Sequence, residues 1–384
     1  MTGGRAMNTQ IILRPAEDYR EVREYLLQSG AKTILLVCSR SAMRLPVAAF
    51  LERFQTETGV RIVPFSDFRP NPLYESVAAG VELFRREGCE LIFAVGGGSA
   101  MDVAKCIKLY ANMSPEENYL RQTIVPNDIP LLAMPTTAGT GSEATRYAVI
   151  YYNGEKQSVT DESCIPGAVL LDPSCLKTLP PYQKKATMCD ALCHAVESFW
   201  SVNSTEESRA LSLAAIRAVT ENMDGYLANT DAGNAGMLLA AHTAGRAINI
   251  TQTTAGHAMC YKLTSLFGCA HGHAAMLCVR VLYPWMVRNV SRCTDPRGEA
   301  ALRAALDGIA AGLGCADAAA GAERLGAIFD ALELEIPAAT PEEFSLLRDS
   351  VNPVRLKNHP IALDTDTIDA LYHEILKEKR GMEA

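Results

Sequence analysis

The chain has 384 residues, a length at which two domains are the ordinary arrangement, because single cores rarely grow past roughly 250 to 300 residues. Hydrophobic residues make up 48% and charged residues 21%, the composition of a soluble globular protein. A net charge of -8 argues against electrostatic binding to nucleic acid or an anionic membrane, while leaving room for a local basic pocket. No apolar run reaches bilayer length, and the opening MTGGRAMNTQ lacks the apolar core of a signal peptide. Met7 is an alternative start, and the stretch before it is expected to be disordered. The 12 cysteines are scattered without paired CxxC knuckles, which points to a cytoplasmic protein with reduced thiols.

In chain order, KTILLVCS reads as a strand and LPVAAFLERFQTET as a helix. VRIVPFSD (strand), LYESVAAGVELFRREG (helix), ELIFAVGG (strand), SAMDVAKCIKLYA (helix) and IPLLAMPTT (strand) repeat the alternation, and AVLLDPS closes it. This rhythm predicts an α/β domain over residues 1–180, a parallel sheet with helices on both faces. TLPPYQKKA marks the boundary, since consecutive prolines stop regular structure. Beyond it the strand signal fades, and residues 181–384 read as a helical domain. A cleft between two such domains is a favoured ligand site.

Two loops carry a phosphate-type signal. In AVGGGSAMDVAK a strand ends at Val95, Gly96 to Gly98 turn, and a helix begins near Ser99. Such glycines admit a ligand close to the backbone, and the helix start offers free N–H groups to a pyrophosphate. The spacing is not G-x-G-x-x-G, so an ordinary Rossmann dehydrogenase is not the first choice. MPTTAGTGSEAT, after the next strand, adds the hydroxyls of Thr136, Thr137, Thr140 and Ser142. Two loops of this kind at the carboxyl ends of strands suit a dinucleotide.

CDALCHAVESFW places Asp190 and His194 four residues apart on a predicted helix, turned to one side. Alone, the pair is either two metal ligands or a polar pair that stabilises a helix. Of only seven histidines, three more, His257, His271 and His273, crowd into TTAGHAMCYKLTSLFGCAHGHAAML. Imidazoles and a carboxylate together suit a first-row divalent ion.

The segments GGGSAMD, PTTAGTGSEAT, ATMCDALCHAVES and HAMCYKLTSLFGCAHGHA, in this order, resemble the iron-containing (group III) alcohol dehydrogenases. The resemblance implies an α/β dinucleotide-binding domain followed by an all-helical metal domain. It implies Asp190, His194, His257 and His271 as ligands of Fe²⁺, with Zn²⁺ an alternative. Gly97, Gly98, Ser99 and Asp102 would hold NAD(H) or NADP(H), assisted by Thr136, Thr137, Thr140, Ser142 and Lys156. A metal Lewis acid and a nicotinamide hydride would then interconvert an aldehyde and a primary alcohol, and a homodimer is the expected assembly.

Three departures from the family shape the functional reading. Many members carry an Asp after the first long strand; here Ser39 and Arg40 stand there, and a hydroxyl with a guanidinium suits the extra phosphate of NADP. Many have a further His four residues after the third ligand; here the place is Tyr261, and His273 is either a substitute in catalysis beside His271 or a residue that supports the ligands from behind. Finally, Arg146, Lys262, Arg355, Lys357 and Asn358 suit an anionic substrate. RLKNHP with YKLTSLFG and HGHA resembles the phosphonoacetaldehyde reductase branch, which implies reduction of phosphonoacetaldehyde to 2-hydroxyethylphosphonate in phosphonate biosynthesis. The rivals are a generalist dehydrogenase of short neutral alcohols and diols, a lyase like dehydroquinate synthase, and a non-catalytic metal-binding protein.

Overall fold

The computed structural model describes residues 10–379; the stretch before Met7 lies outside the described residues. The chain divides between Leu179 and Pro180 into two compact units.

The first unit follows the predicted alternation. β1 (Ile11–Leu13), α1 (Ala16–Gln28), β2 (Thr33–Cys38), α2 (Pro46–Thr58), β3 (Arg61–Phe65), α3 (Tyr74–Arg86), β4 (Leu91–Gly96), α4 (Gly98–Tyr110) and β5 (Leu131–Pro135) come first. They are followed by a hairpin of β6 (Tyr147–Tyr152) and β7 (Glu155–Thr160), and then by β8 (Ala168–Leu170). The helices start and stop where local chemistry asks. Pro46 opens α2, Gly59 closes it at φ 73°, and Val47, Phe50, Leu51 and Phe54 form its buried stripe. β2, β4 and β5 run through the core, with LIFAVG and LLAMP wholly buried. Short β1 and α1 escape the strand–helix rhythm. So does the β6–β7 hairpin, although its Asn153–Gly154 turn has both φ positive, the type I′ signature.

The main sheet has the order β1-β8-β5-β4-β2-β3, all neighbours parallel. From β2 the chain moves outward to β3, then returns to the other side of β2 with β4. The crevice beyond the carboxyl ends of β2 and β4 is therefore the topological switch point, where open α/β sheets bind ligands. Ser39 follows β2, Gly97 follows β4 and Thr136 follows β5, so both phosphate-type loops and the Ser39–Arg40 position lie at this edge.

The second unit is built of α5 (Pro181–Trp200), α6 (Glu206–Leu227), α7 (Asp231–Thr251), α8 (Ala255–Phe267), α9 (His271–Arg288), α10 (Glu299–Gly312) and α11 (Ala318–Ala331). α12 (Pro341–Ser350), α13 (Pro353–Leu356) and α14 (Thr365–Ile375) complete it, with a two-residue parallel ladder of β9 (Ala338–Ala339) and β10 (Lys377–Glu378). α5 is central and packs against α6, α7 and α9. Every residue from Met188 to Trp200 is buried, so polar side chains on this stretch need partners inside the protein. No helix among the described residues is long and apolar enough to cross a membrane, and all 12 cysteines are free thiols.

Candidate active site

In the first unit, the glycine turn and the hydroxyl loop form one wall. A Cβ on Gly98 would stand 3.2 Å from Thr140 Cγ2, and one on Gly97 would stand 3.5 Å from Thr137 Oγ1. The Thr136 N–H donates to the Gly96 carbonyl at 2.9 Å. Helix α4 starts at Gly98, one residue before the sequence reading places it, and no side chain caps it. Its N-terminus and a backbone kept bare by glycine fit a pyrophosphate.

Asp102 and Ser142, expected to touch cofactor, are occupied with each other. Ser142 Oγ donates to Asp102 Oδ1 at 2.9 Å, and the Val149 N–H donates to Oδ2 at 3.1 Å. Burial raises the Asp102 pKa, and the Lys105 and Lys156 charges with these two donors hold it back. Lys105, which is fully buried, donates to Ser142 Oγ (3.1 Å), Thr145 Oγ1 (3.2 Å) and the Tyr147 carbonyl (2.7 Å). The lysine thus pins the hydroxyl loop to α4. In sequence it stands three residues after Asp102, the ordinary spacing of a surface ion pair, and nothing there announces its burial. Ser39 is hydrogen-bonded to Ser41 at 2.9 Å, and Arg40 is exposed.

In the second unit, Asp190, His257 and His271 bring their ligand atoms within 4.8 Å of one another. Asp190 Oδ1 is the hub: His257 Nε2 lies 3.5 Å away, His194 Nε2 3.8 Å and His271 Nε2 4.0 Å. Ligands about 2.1 Å from a shared tetrahedral ion stand roughly 3.4 Å apart. His194 stacks on the His257 ring at 4.6 Å and stands beside that triad. Asp190 Oδ1 and His257 Nε2 are buried without a hydrogen-bond partner. A carboxylate oxygen and an imidazole lone pair left in this state are what a divalent cation satisfies, so the residues fit the metal. Burial alone would raise the Asp190 pKa, but the His194, His257 and His271 imidazoles carry it well below the usual carboxylate range.

Three elements make this convergence possible. α5 carries Asp190 and His194 on one side. α8 places His257 in its first turn, and α9 begins at His271. Gly272 lets α9 approach: a Cβ there would lie 2.1 Å from the Ala186 carbonyl oxygen and 2.7 Å from Asp190 N. The sequence reading missed Glu197, fully buried on α5, whose Oε2 pairs with His257 Nδ1. The signal was present, since Asp190, His194 and Glu197 recur at the i, i+4, i+7 positions of one helix face.

Beside the triad, Tyr261 stacks on the His271 ring at 5.6 Å. The Arg355 guanidinium lies 4.8 Å from the Tyr261 ring centroid and donates from Nη1 to the phenol oxygen at 3.1 Å. Burial raises the Tyr261 pKa and Arg355 opposes it. Among the described residues, no carboxylate lies within ion-pair distance of Arg355, Lys262 or Lys357.

The remaining expected residues have other occupations. Arg146, in the first unit, pairs with Glu162 at 3.2 Å. Asn358 donates to Gln252 Oε1 and accepts from Asn203 Nδ2, each at 2.9 Å, and so fastens loops of the second unit. His273 is buried with Nε2 donating to the Glu335 carbonyl at 2.9 Å and Nδ1 facing the Tyr182 hydroxyl at 3.1 Å. Both of its nitrogens are thus engaged by protein groups.

These features define a two-unit oxidoreductase with a nucleotide-type sheet edge and a His–Asp metal cluster, and the comparisons agree. The pattern of the family "Iron-containing alcohol dehydrogenase" matches residues 9–173, and "Fe-containing alcohol dehydrogenase family, C-terminal" matches residues 184–376. The phosphonoacetaldehyde reductase of Streptomyces viridochromogenes is 34% identical over 317 residues, covering 78% of this chain and 80% of that protein. Long-chain-alcohol dehydrogenase 1 of Geobacillus thermodenitrificans is 30% identical, covering 69% and 68%. Among solved structures, an iron-containing alcohol dehydrogenase from Thermotoga maritima superposes with TM-score 0.81 at 27% identity, over 97% of this chain and 99% of that one. Sulfoacetaldehyde reductase from Bifidobacterium kashiwanohense, solved with NAD+, superposes with TM-score 0.84 at 24% identity, over 98% and 99%, and shares the fold. The chain belongs to the iron-containing alcohol dehydrogenase family. It is an enzyme, an oxidoreductase of the alcohol–aldehyde couple.

Proposed function

We propose that this enzyme reduces a short aldehyde bearing an anionic headgroup, phosphonoacetaldehyde, to its alcohol. The observation that carries the reading is Arg355: a half-buried guanidinium without a carboxylate partner among the described residues, stacked through Tyr261 onto His271. A guanidinium beside the metal cluster with no carboxylate partner can form charge-assisted hydrogen bonds to an anionic headgroup. Lys262 and Lys357 add positive charge in the same unit. The 34% identity to a phosphonoacetaldehyde reductase supports the same substrate class.

The α/β unit would hold the nicotinamide cofactor at the β2/β4 crevice, with Gly97, Gly98, Ser99, Thr136, Thr137 and Thr140 around the phosphates and Lys156 nearby. Ser39 and Arg40 suit NADPH, since neither repels a further phosphate. Asp190, His194, His257 and His271 would hold the metal, Fe²⁺ or Zn²⁺. When bound, the metal supplies Lewis-acid polarisation of a carbonyl and the cofactor supplies the hydride. The chain's own residues do the rest. Asp190 contributes negative charge, Arg355 orients the substrate's headgroup, and Tyr261 keeps its proton at neutral pH because burial disfavours the phenolate. That leaves Tyr261 Oη as a proton-bearing hydroxyl beside His271.

The test is an anaerobic assay of Fe²⁺-loaded protein, following NADPH and NADH oxidation with phosphonoacetaldehyde, propanal and glycolaldehyde. A charge-assisted contact of about 1.5–3 kcal/mol predicts roughly a 10- to 100-fold higher kcat/KM for phosphonoacetaldehyde, with NADPH preferred. Equal rates with neutral aldehydes would make this a generalist alcohol dehydrogenase. Stoichiometric NADP⁺ release separates either from a lyase that regenerates its cofactor.

A further inference from the structure

Glu197 makes four contacts, all to the start of α8. Its Oε1 accepts from the Thr254 N–H at 3.0 Å, the Thr254 hydroxyl at 2.6 Å and the His257 N–H at 3.3 Å. Its Oε2 faces His257 Nδ1. The Thr254 hydroxyl, having donated to Glu197, accepts from Trp200 Nε1 at 2.8 Å. Thr254 is the N-cap of α8, but its side chain caps nothing; the carboxylate of α5 satisfies the open N–H groups instead. Gly256 leaves room for it, since a Cβ there would stand 3.0 Å from Glu197 Cδ and 2.5 Å from Val279 Cγ2.

We infer that Glu197 is a positioning residue, which fixes His257 as the Nδ1–H tautomer and so keeps its Nε2 lone pair aimed at the ion beside Asp190. The direction of each bond enforces this. Three donors converge on Oε1, leaving Oε2 as the acceptor for Nδ1–H, and a neutral imidazole protonated there has Nε2 bare. Nε2 is the atom 3.5 Å from Asp190 Oδ1 that has no hydrogen-bond partner. The inference rests on the metal site proposed above.

Glu197→Gln tests it. The three donors hold the amide oxygen at the Oε1 position, so the amide nitrogen faces His257 Nδ1 and donates to it. That moves the imidazole proton to Nε2 while the α8 cap survives. Zn²⁺ affinity, read by chelator competition, should fall about 10- to 100-fold, with the metal-free Tm within about 2 °C of wild type. Thr254→Val, which removes one donor from Oε1, should give a smaller loss. A folded Glu197→Gln protein with wild-type Zn²⁺ affinity would overturn the role, whatever its Tm. Wild-type protein without Zn²⁺ affinity would overturn the site itself and the role with it. If Glu197→Gln does not fold, ¹⁵N spectra of histidine-labelled, Zn²⁺-loaded wild type decide. His257 protonated at Nδ1 and metal-bound at Nε2 supports the assignment, and metal at Nδ1 overturns it.

Discussion

His359 is a neutral imidazole locked inside the second unit, 3% exposed, with neither ring nitrogen hydrogen-bonded and its ring edge-on to Trp200 at 6.1 Å. Burial lowers its pKa to about 4, against the pull of the Glu197 charge. The unfolded chain takes up this proton near pH 6.5. Between pH 6.5 and 4 the unfolded state therefore binds more protons than the native state, and stability falls as pH falls. The full difference is on the order of 3 kcal/mol, lost once the pH has dropped through 4. His359→Phe keeps a ring against Trp200 and removes the proton site. Urea denaturation of that variant should show a flatter acid limb across this window, whereas an unchanged slope would assign the limb to other groups. Tyr261 is the second residue-scale case, stacked on His271 and hydrogen-bonded to Arg355. Tyr261→Phe keeps the stack on His271 but removes the hydroxyl. It should lower kcat with little change in substrate KM if the phenol holds the transferred proton, and steady-state kinetics at neutral pH would read this.

At the scale of elements, the metal cluster depends on how closely α9 crosses α5. Gly272→Ala puts a methyl group against the Ala186 carbonyl and the Asp190 backbone. Neither can rotate away, so the helices must separate. The expected cost is about 1–3 kcal/mol of stability with a loss of metal affinity, because His271 and Asp190 move apart together. Thermal melts with Zn²⁺ titration would report both; unchanged values would mean that the helices have slack. This glycine also illustrates what the sequence makes legible. The spacing of Asp190 and His194 puts them on one helix face, but their grouping with His257 and His271 is legible only through the resemblance to the family's motifs. Glu197, Lys105 and Gly272 are common residue types whose roles depend on burial and on a partner distant in the chain. Periodicity can place Glu197 on the correct face of α5, but it cannot show that the face meets the start of α8. The partners of His273 are hidden for the same reason, since Tyr182 and the Glu335 carbonyl, which engage its nitrogens, lie 91 and 62 residues away in sequence.

For the whole molecule, the strand–helix alternation made the parallel sheet legible, because buried strands read as short apolar runs. The three-residue β1 and two-residue β9 and β10 are too brief for any such pattern. A metal that binds only the folded state adds stability in proportion to its saturation: about 2.7 kcal/mol at one hundred times Kd. Stripping it with chelator should lower Tm by several degrees, and Asp190→Asn, which weakens the hub of the cluster, should abolish that difference. Equal melting with and without metal would count against the cluster.

The most direct test of the anion-binding account is the ratio of kcat/KM for phosphonoacetaldehyde to that for propanal, measured in wild type and in Arg355→Ala. The substitution should lower the ratio about 10- to 100-fold, almost wholly through loss of activity on the anionic substrate. An unchanged ratio, or an equal loss with both aldehydes, would contradict it and return Arg355 to a supporting contact for Tyr261.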